Sequence, residues 1–148
     1  MNIVIGSDHR GFKQKEFIKA DLTMPGRNIS WVDVGCSSEE TCDYPIFAQK
    51  AVEVLQIGQA DIGILLCGTG VGMSIAANRF KGVYAGLAWN EEVARLNKEH
   101  DNVNVLVLPS DFISMDQAIT IVEAWINGTF LEDRYKRRLD LINQFGGV

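Results

Sequence analysis

The sequence has no long hydrophobic run and no excess of basic residues. None of its apolar stretches approaches the roughly 20 residues that span a bilayer. The net charge of −5 argues against a nucleic-acid or anionic-membrane binder, which would need a basic face. Residues 1–8 lack the basic region and the cleavage site of a signal peptide, and we expect a strand there. Neither a nucleic-acid partner nor a membrane partner is therefore expected.

Cysteine is scarce and irregularly placed. The three cysteines, Cys36, Cys42 and Cys67, are odd in number and have no C-x-x-C spacing, so the sequence indicates neither a disulfide framework nor a metal site. Cys36 and Cys42 lie in no recognisable motif and are interpreted as structural. Together these features favour a reduced, cytoplasmic protein with free thiols.

What the sequence does contain is a regular alternation of apolar runs and amphipathic segments. Runs rich in Val, Ile and Leu predict strands buried on both faces, at residues 2–7, 30–34, 61–67, 82–87 and 103–108. The amphipathic segments predict helices at residues 11–22, 44–55, 90–99, 114–125 and 132–144. We therefore predict one α/β domain over residues 1–148, with a five-stranded parallel sheet of order 2-1-3-4-5 flanked by helices.

In a sheet of this order, ligands bind beyond the carboxyl ends of strands 1 and 3. Strand 1 ends in Ser7-Asp8-His9-Arg10 and strand 3 ends in Cys67-Gly68-Thr69-Gly70, so these two turns are expected to face each other. Asp8 suits either a ligand or a cap for the following helix. His100, just before strand 5, is also expected to border this cleft.

Glycine recurs at every second position in Cys67-Gly68-Thr69-Gly70-Val71-Gly72-Met73-Ser74. Such a turn lets a ligand approach the backbone and meet several N–H groups, which suits an anion or an oxyanion. It is not a P-loop, because no lysine follows the glycines. A dinucleotide fingerprint would follow strand 1, and a tyrosine-phosphatase loop would need arginine at Met73. A tight turn without a ligand is the alternative.

One cysteine and one pair of arginines are candidates for the chemistry of the site. A cysteine at a helix N-terminus has its thiolate favoured, so Cys67 is a candidate base or nucleophile, although an isolated cysteine is more often a small buried apolar residue. Arg134 and Arg138 share one face of the last helix, and a pair of arginines suits phosphate. A solvated face paired with nearby acids is the alternative for these arginines.

Taken together, these residues closely resemble the type B ribose-5-phosphate isomerase family, which includes the galactose-6-phosphate isomerase subunits. The matching stretches run through the chain in order: Gly6-Ser7-Asp8-His9-Arg10-Gly11, Asp43-Tyr44-Pro45, residues 63–78, Glu99-His100 with Asn104-Val105-Leu106, and Arg134 with Arg137-Arg138. The resemblance implies a cofactor-free and metal-free aldose–ketose isomerase that interconverts ribose 5-phosphate and ribulose 5-phosphate through an enediolate. The alternatives are another aldose phosphate of four to six carbons, such as allose or galactose 6-phosphate, and a non-catalytic phosphosugar-binding subunit.

The resemblance also implies a three-layer Rossmann-like homodimer, and it is compatible with a tetramer. Each active site is built from both subunits, and the C-terminal helix, at about residues 129–145, is expected to pack at the dimer interface. The implied catalytic positions are Cys67, the base that moves a proton between C1 and C2, Thr69, and the partner subunit's His100, which helps to open the furanose ring. The implied substrate-binding positions are Asp8, His9, Tyr44, Gly68, Gly70, Val71, Gly72, Ser74, Asp101, Arg134 and Arg138.

Within that set, the N–H groups from Gly70 to Ser74 match the anion hole for the enediolate, and His9, Arg134 and Arg138 match phosphate-binding positions. Three positions depart from the family pattern. Asp101 stands where asparagine is usual, Asp111 replaces an arginine that reaches the phosphate, and Tyr135 replaces a histidine. An acid near an enediolate repels it unless it is protonated or turned away, so these departures bear on the choice of sugar and on phosphate binding.

Overall fold

The computed structural model describes residues 1–145 and shows a three-layer α/β domain around one parallel sheet. The elements, in chain order, are β1 (Asn2–Ser7), α1 (Phe12–Asp21), β2 (Ser30–Asp33), α2 (Tyr44–Gln56), β3 (Ile62–Cys67), α3 (Val71–Ala77), β4 (Ala85–Leu87), α4 (Glu91–Asp101), β5 (Val105–Pro109), α5 (Met115–Asn127) and α6 (Asp133–Ile142). Every strand pair is parallel. The predicted fold class is confirmed, and the last three residues of the predicted domain lie outside the described range.

The order of the strands differs from the prediction at one end of the sheet. The observed order is β2-β1-β3-β5-β4, so β5 and not β4 lies beside β3. All five residues of β5 are buried, whereas the three residues of β4 are half-buried. A continuously apolar strand gains most from a central position, and a short strand is tolerated at an edge. The ligand-binding position between β1 and β3 is unaffected by this exchange.

The exchange changes the layer in which α4 lies. Because the connection from β4 runs back toward β3, a right-handed crossover places α4 on the same face as α1 and α5. Side chains from these three helices share one hydrophobic core, and α2 and α3 share the other. Alternate residues of the strands face the two cores: Ile64 and Leu66 face the first, and Leu65 and Cys67 face the second.

Helix starts follow the capping signals in the sequence. The Asn90 side chain accepts a hydrogen bond from the Val93 N–H at 2.8 Å and caps the start of α4. Ser114 and Gln117 form a reciprocal capping box at the start of α5. The last helix, α6, is shorter at both ends than the segment predicted at about residues 129–145.

A buried lysine fixes the end of β2 against α1. Lys15, whose side chain is 2% exposed, places Nζ 2.6 Å from Asp33 Oδ2 and 2.7 Å from Glu16 Oε1. Burial acts to raise the pKa of Asp33, but its hydrogen bonds to Lys15 and Lys19 outweigh that effect, and the net pKa is lowered. The Gly35 N–H also donates to Asp33 Oδ1 at 2.9 Å. This network anchors the loop that leads from β2 to α2.

In residues 1–145, no helix combines the length and apolar character needed to cross a bilayer.

Candidate active site

The turn after β3 lies at the carboxyl edge of the sheet and is tied to the turn after β5. Cys67 is 5% exposed and pairs in register with Pro109. The Ser110 N–H donates to the Cys67 carbonyl at 2.9 Å, and the Asp111 N–H donates to the Gly68 carbonyl at 3.0 Å. The thiol is therefore held at the end of a central strand by backbone contacts on a neighbouring one.

Two glycines of this turn lie where a larger residue does not fit. Gly70 has φ +77°, and a Cβ on it would overlap Leu87 Cδ1. A Cβ on Gly72 would lie 2.6 Å from Tyr44 Cζ, so the Tyr44 ring covers this part of the turn. The sequence prediction that Tyr44 and the glycines lie together is consistent with these contacts.

The donors of the turn are divided between internal hydrogen bonds and open positions. The Val71 N–H donates to Thr69 Oγ1 at 3.3 Å, and the Ser74 N–H donates to the Gly70 carbonyl at 3.0 Å. The N–H groups of Gly70, Gly72 and Met73 meet no acceptor in residues 1–145. Two of the five N–H groups predicted for the anion hole are thus already engaged, and the other three are open to an anion.

Two buried hydroxyls near the thiol also have no partner. Ser74 Oγ and Ser110 Oγ are buried without a hydrogen bond in the described part of the chain. Ser110 directly follows Pro109, which pairs with Cys67. Buried polar atoms are normally satisfied, so these hydroxyls fit a site that takes up a polar ligand. The sequence pointed to Ser74 through its place in the turn, but nothing in it singled out Ser110.

The turn after β1 is fixed by Asp8. Its Oδ1 accepts hydrogen bonds from the Arg10 N–H at 2.9 Å and the Gly11 N–H at 3.1 Å. These bonds hold the turn before α1, but the N-cap of α1 is Gly11 and receives no side-chain hydrogen bond, so the helix cap that the sequence offered for Asp8 is not formed. Oδ2 accepts no hydrogen bond within residues 1–145, and the ligand role of Asp8 stays a prediction.

His9 is held by a residue that was interpreted as purely structural. The Cys42 N–H donates to His9 Nδ1 at 3.3 Å, and Cys42 Sγ lies 3.9 Å from the same nitrogen. A neutral His9 therefore carries its proton on Nε2, where it can be donated to an anion. Burial, followed by the nearby Cys36, raises the pKa of the Cys42 thiol and keeps it protonated. Cys42 was interpreted as structural, and its contact with His9 is one that the sequence did not reveal.

An ion pair that the sequence did not reveal lies against Gly68. Arg10 Nη2 pairs with Asp111 Oδ2, and a Cβ on Gly68 would lie 2.8 Å from Arg10 Nε and 2.7 Å from Asp111 Oδ2. Asp111 therefore places its charge beside the turn together with a compensating guanidinium. The only feature of the sequence that could have indicated this ion pair is the opposite charge of one residue in each of the turns after β1 and β5.

His100 does not border this cleft within one chain, contrary to the expectation from its position before strand 5. It lies near the C-terminus of α4, which runs antiparallel to the strands, and β5 begins four residues after α4 ends. Cys67 ends β3 at the opposite edge, and a six-residue strand spans about 20 Å. Asp101, the last residue of α4, lies at the same amino edge as His100.

A second group of predicted residues forms around His100. Its ring stacks on Tyr135 with a centroid distance of 4.2 Å and an angle of 8°. Arg134 Nη2 donates to Tyr135 Oη at 2.9 Å, and the Arg138 guanidinium lies 5.6 Å from the Tyr135 ring centroid. The hydrogen bond to Tyr135 raises the pKa of Arg134. Asp101 lies nearby and lines a cavity of about 1020 Å³ that also borders β4 and α6.

The predicted residues thus form two groups at opposite edges of the sheet. Cys67, Thr69, Tyr44, Asp8 and His9 belong to the carboxyl-edge turns, and His100, Asp101, Arg134 and Arg138 belong to the amino edge. Within residues 1–145 no group of three or more His, Cys, Asp or Glu side chains is arranged to hold a metal ion.

Comparisons with known proteins match most of the chain. The sequence model of the family described as Ribose/Galactose Isomerase matches residues 3–142. The ribose-5-phosphate isomerase B of Escherichia coli K12 is 38% identical over 140 residues, which covers 95% of this chain and 93% of that protein.

Two solved structures are also closely similar. A ribose 5-phosphate isomerase from Thermotoga maritima has a TM-score of 0.92 at 44% identity and covers 97% of this chain and 98% of its own. The ribose-5-phosphate isomerase B of Mycoplasma genitalium, solved with ribulose 5-phosphate bound, has a TM-score of 0.87 at 41% identity and covers 97% of this chain and 94% of its own.

Proposed function

The chain belongs to the ribose/galactose isomerase family, and we propose that it interconverts ribose 5-phosphate and ribulose 5-phosphate without a cofactor. The observation that carries the proposal is the buried Cys67 thiol directly before a turn with three unengaged N–H groups. An aldose–ketose isomerisation needs a base at the carbon that loses its proton and donors for the oxyanion that forms. This turn supplies both.

Proton transfer is assigned to Cys67. As a thiolate it removes the C2 proton of the open-chain aldose, and the electron pair of that C–H bond forms the enediolate with the negative charge on O1. The hydroxyl proton then passes from O2 to O1, and the thiol returns its proton to C1 as the ketone forms at C2. The N–H groups of Gly70, Gly72 and Met73 stabilise the enediolate oxygen. Thr69, whose Oγ1 already accepts the Val71 N–H, orders the turn and contacts the sugar through its hydroxyl.

We assign the remaining steps to two subunits. His100 and the Arg134–Arg138 pair lie at the opposite edge of the sheet from Cys67, so one chain cannot bring them to the same substrate. A homodimer in which the amino edge of one protomer meets the carboxyl edge of its partner completes the site. The partner subunit's His100 then assists opening of the furanose ring. In this arrangement α6 contributes to the dimer interface. Phe145, three residues after the end of α6, is 76% exposed in the single chain and lies beside that interface.

Phosphate binding is assigned to His9 through its Nε2–H and to the partner's Arg134 and Arg138. Guanidinium groups suit the geometry of a phosphate.

Since the three cysteines are unpaired, we also propose a reducing, cytoplasmic setting.

A related reaction remains the second candidate. Asp111 adds a negative charge beside Gly68, where it is paired with Arg10, and this changes the electrostatics at the rim of the site. An isomerase for another aldose phosphate of four to six carbons is therefore the alternative substrate assignment. A non-catalytic phosphosugar-binding subunit is less favoured, because binding alone does not require a thiol at the end of β3.

The decisive measurement is hydrogen exchange in heavy water across four- to six-carbon aldose phosphates, followed by proton NMR. The wild-type protein is expected to exchange hydrogen at the reacting carbons and to form ketose from ribose 5-phosphate. Absence of exchange with every sugar would favour the binding-subunit alternative.

Replacing the proposed base tests the mechanism directly. Cys67→Ala is expected to lower turnover by about 100-fold or more, since a positioned base contributes at least that much. Ribose 5-phosphate should still bind, as measured by calorimetry, because the phosphate contacts are unchanged. Cys36→Ala is the matched control and should retain turnover. A Cys67→Ala variant with normal turnover would remove Cys67 as the base.

A further inference from the structure

Tyr135 connects three side chains that the proposed function uses separately. Its ring stacks on His100, its hydroxyl accepts a hydrogen bond from Arg134, and the Arg138 guanidinium lies within 5.6 Å of its ring centroid. The Arg134 guanidinium is also 4.9 Å from the same centroid. No other aromatic ring stacks on a histidine in residues 1–145.

The backbone at the start of α6, which places Tyr135 beside His100, adopts unfavourable conformations. Glu132 and Asp133 have φ values of +57° and +42°, which are unfavourable for residues with a Cβ. The Tyr135 N–H nevertheless donates to the Glu132 carbonyl at 2.9 Å, and the Leu131 N–H donates to the Glu99 carbonyl at 3.0 Å. These contacts bring the start of α6 against the end of α4, next to His100.

We propose that Tyr135 is a positioning residue that orients the ring-opening group His100 and the phosphate-binding Arg134 as one unit. The proposal rests on the proposed function. The aromatic ring limits rotation of the His100 imidazole by stacking, and the phenol oxygen fixes one end of the Arg134 guanidinium. The two contacts use different parts of the tyrosine, so they can be separated by substitution.

Removing only the hydroxyl is expected to affect substrate binding. Tyr135→Phe keeps the ring and should raise the KM for ribose 5-phosphate about threefold to tenfold, with kcat little changed, because one hydrogen bond that orders Arg134 is lost. Tyr84→Phe is the matched control, since Tyr84 Oη donates to Asn143 Oδ1 at 2.8 Å and, within residues 1–145, Tyr84 neither stacks on His100 nor hydrogen-bonds to Arg134.

Removing the ring is expected to affect ring opening and to leave proton transfer intact. Ribose 5-phosphate is mostly a furanose, whereas ribulose 5-phosphate is open-chain because its C5 oxygen carries the phosphate. Exchange of a C1 hydrogen of ribulose 5-phosphate in heavy water therefore reports Cys67 chemistry without ring opening. Tyr135→Leu should lower net conversion of ribose 5-phosphate about tenfold or more and change saturated C1 exchange less than about twofold.

A conservative variant and a spectroscopic measurement complete the test. Tyr135→His keeps a flat ring and should restore conversion of ribose 5-phosphate to within about threefold of wild type. The chain has two histidines, so the His100 ring protons can be followed by NMR; Tyr135→Leu should move them as the ring current is lost, and Tyr135→Phe should not.

The outcomes distinguish this proposal from the function on which it rests. Equal loss of conversion and exchange in Tyr135→Leu, or no loss of either, would overturn the positioning role, as would unchanged His100 ring-proton shifts. Failure of the wild-type protein in both reactions would instead overturn the proposed function. The Tyr84→Leu control should change conversion and exchange in parallel if it changes them at all.

Discussion

Arg10 and Asp111 lie side by side against Gly68, between the turns that end β1 and β5. Their side chains are 57% and 30% exposed, so we expect the ion pair to contribute only about 0–1 kcal/mol to stability. Its main effect is on the local field: the carboxylate offsets a guanidinium that lies beside the donor-lined turn. A phosphorylated substrate therefore approaches a rim that is nearly neutral at this point.

Removing the carboxylate tests this interpretation at the scale of one residue. Asp111→Ala is expected to lower the KM for ribose 5-phosphate about twofold to fivefold at low ionic strength, and the difference should shrink in salt of about 0.5 M because the charges are exposed. Unfolding in urea should change by less than about 1 kcal/mol. Asp21→Ala makes the same change in net charge at the last residue of α1, outside the residues assigned to the site, and should leave KM unaltered. A higher KM in Asp111→Ala would show that the carboxylate is needed to hold Arg10.

The positions of single residues in the fold were predicted well where one local motif defines them. Cys67 and its glycines lie in an unbroken run of sequence, and the structure places them in one turn. Arg10 and Asp111 are far apart in the sequence and meet only through the sheet, so their pairing could not be predicted from one chain. The stack of Tyr135 on His100 was missed for the same reason, since it depends on how α6 packs against α4.

At the scale of elements, the turn between β3 and α3 depends on Gly70. Gly70 has a φ of +77°, and Gly58 has a similar φ of +73°. A Cβ added to Gly58 would meet nothing within 4 Å, whereas a Cβ added to Gly70 would overlap Leu87. These two glycines therefore separate the cost of the backbone conformation from the cost of the steric overlap.

Alanine substitutions at both glycines measure the two costs. Gly58→Ala is expected to lower the free energy of unfolding by about 1 kcal/mol through backbone strain alone, and Gly70→Ala by about 1–3 kcal/mol more because Leu87 must move. Urea unfolding at one protein concentration measures both. In a Leu87→Ala background the excess cost of Gly70→Ala should disappear. Equal costs in the wild-type background would contradict the overlap with Leu87.

Element boundaries were predicted best where the apolar run ends abruptly. β1 has the predicted bounds, residues 2–7, because Asp8 and the following turn end it. β4 was predicted at residues 82–87 but begins at Ala85, since Gly82 with φ +81° belongs to a turn. The exchange of β4 and β5 was missed because the order of the strands depends on which run gains most from burial on both sides, and the order of the two runs along the chain does not show this.

At the scale of the whole molecule, the residues of the proposed site are divided between the two edges of the sheet. The carboxyl edge has the thiol and the donor-lined turn, and the amino edge has His100 with Arg134 and Arg138. The sequence placed His100 at the same cleft as Cys67 because both adjoin strands, but the direction of α4 puts them about the length of β3 apart. The family resemblance, not the strand pattern, implied that a partner supplies His100.

Subunit complementation tests whether the two groups meet across a dimer. Cys67→Ala and His100→Ala are each expected to convert ribose 5-phosphate poorly. When equal amounts are refolded together, half of the dimers are mixed, and each mixed dimer has one site with Cys67 from one protomer and the partner's His100. The mixture should therefore regain about one quarter of wild-type activity, while each variant refolded alone stays low. If both groups acted within one chain, every protomer would lack one of them and the mixture would regain nothing; light scattering on the same samples verifies that dimers formed.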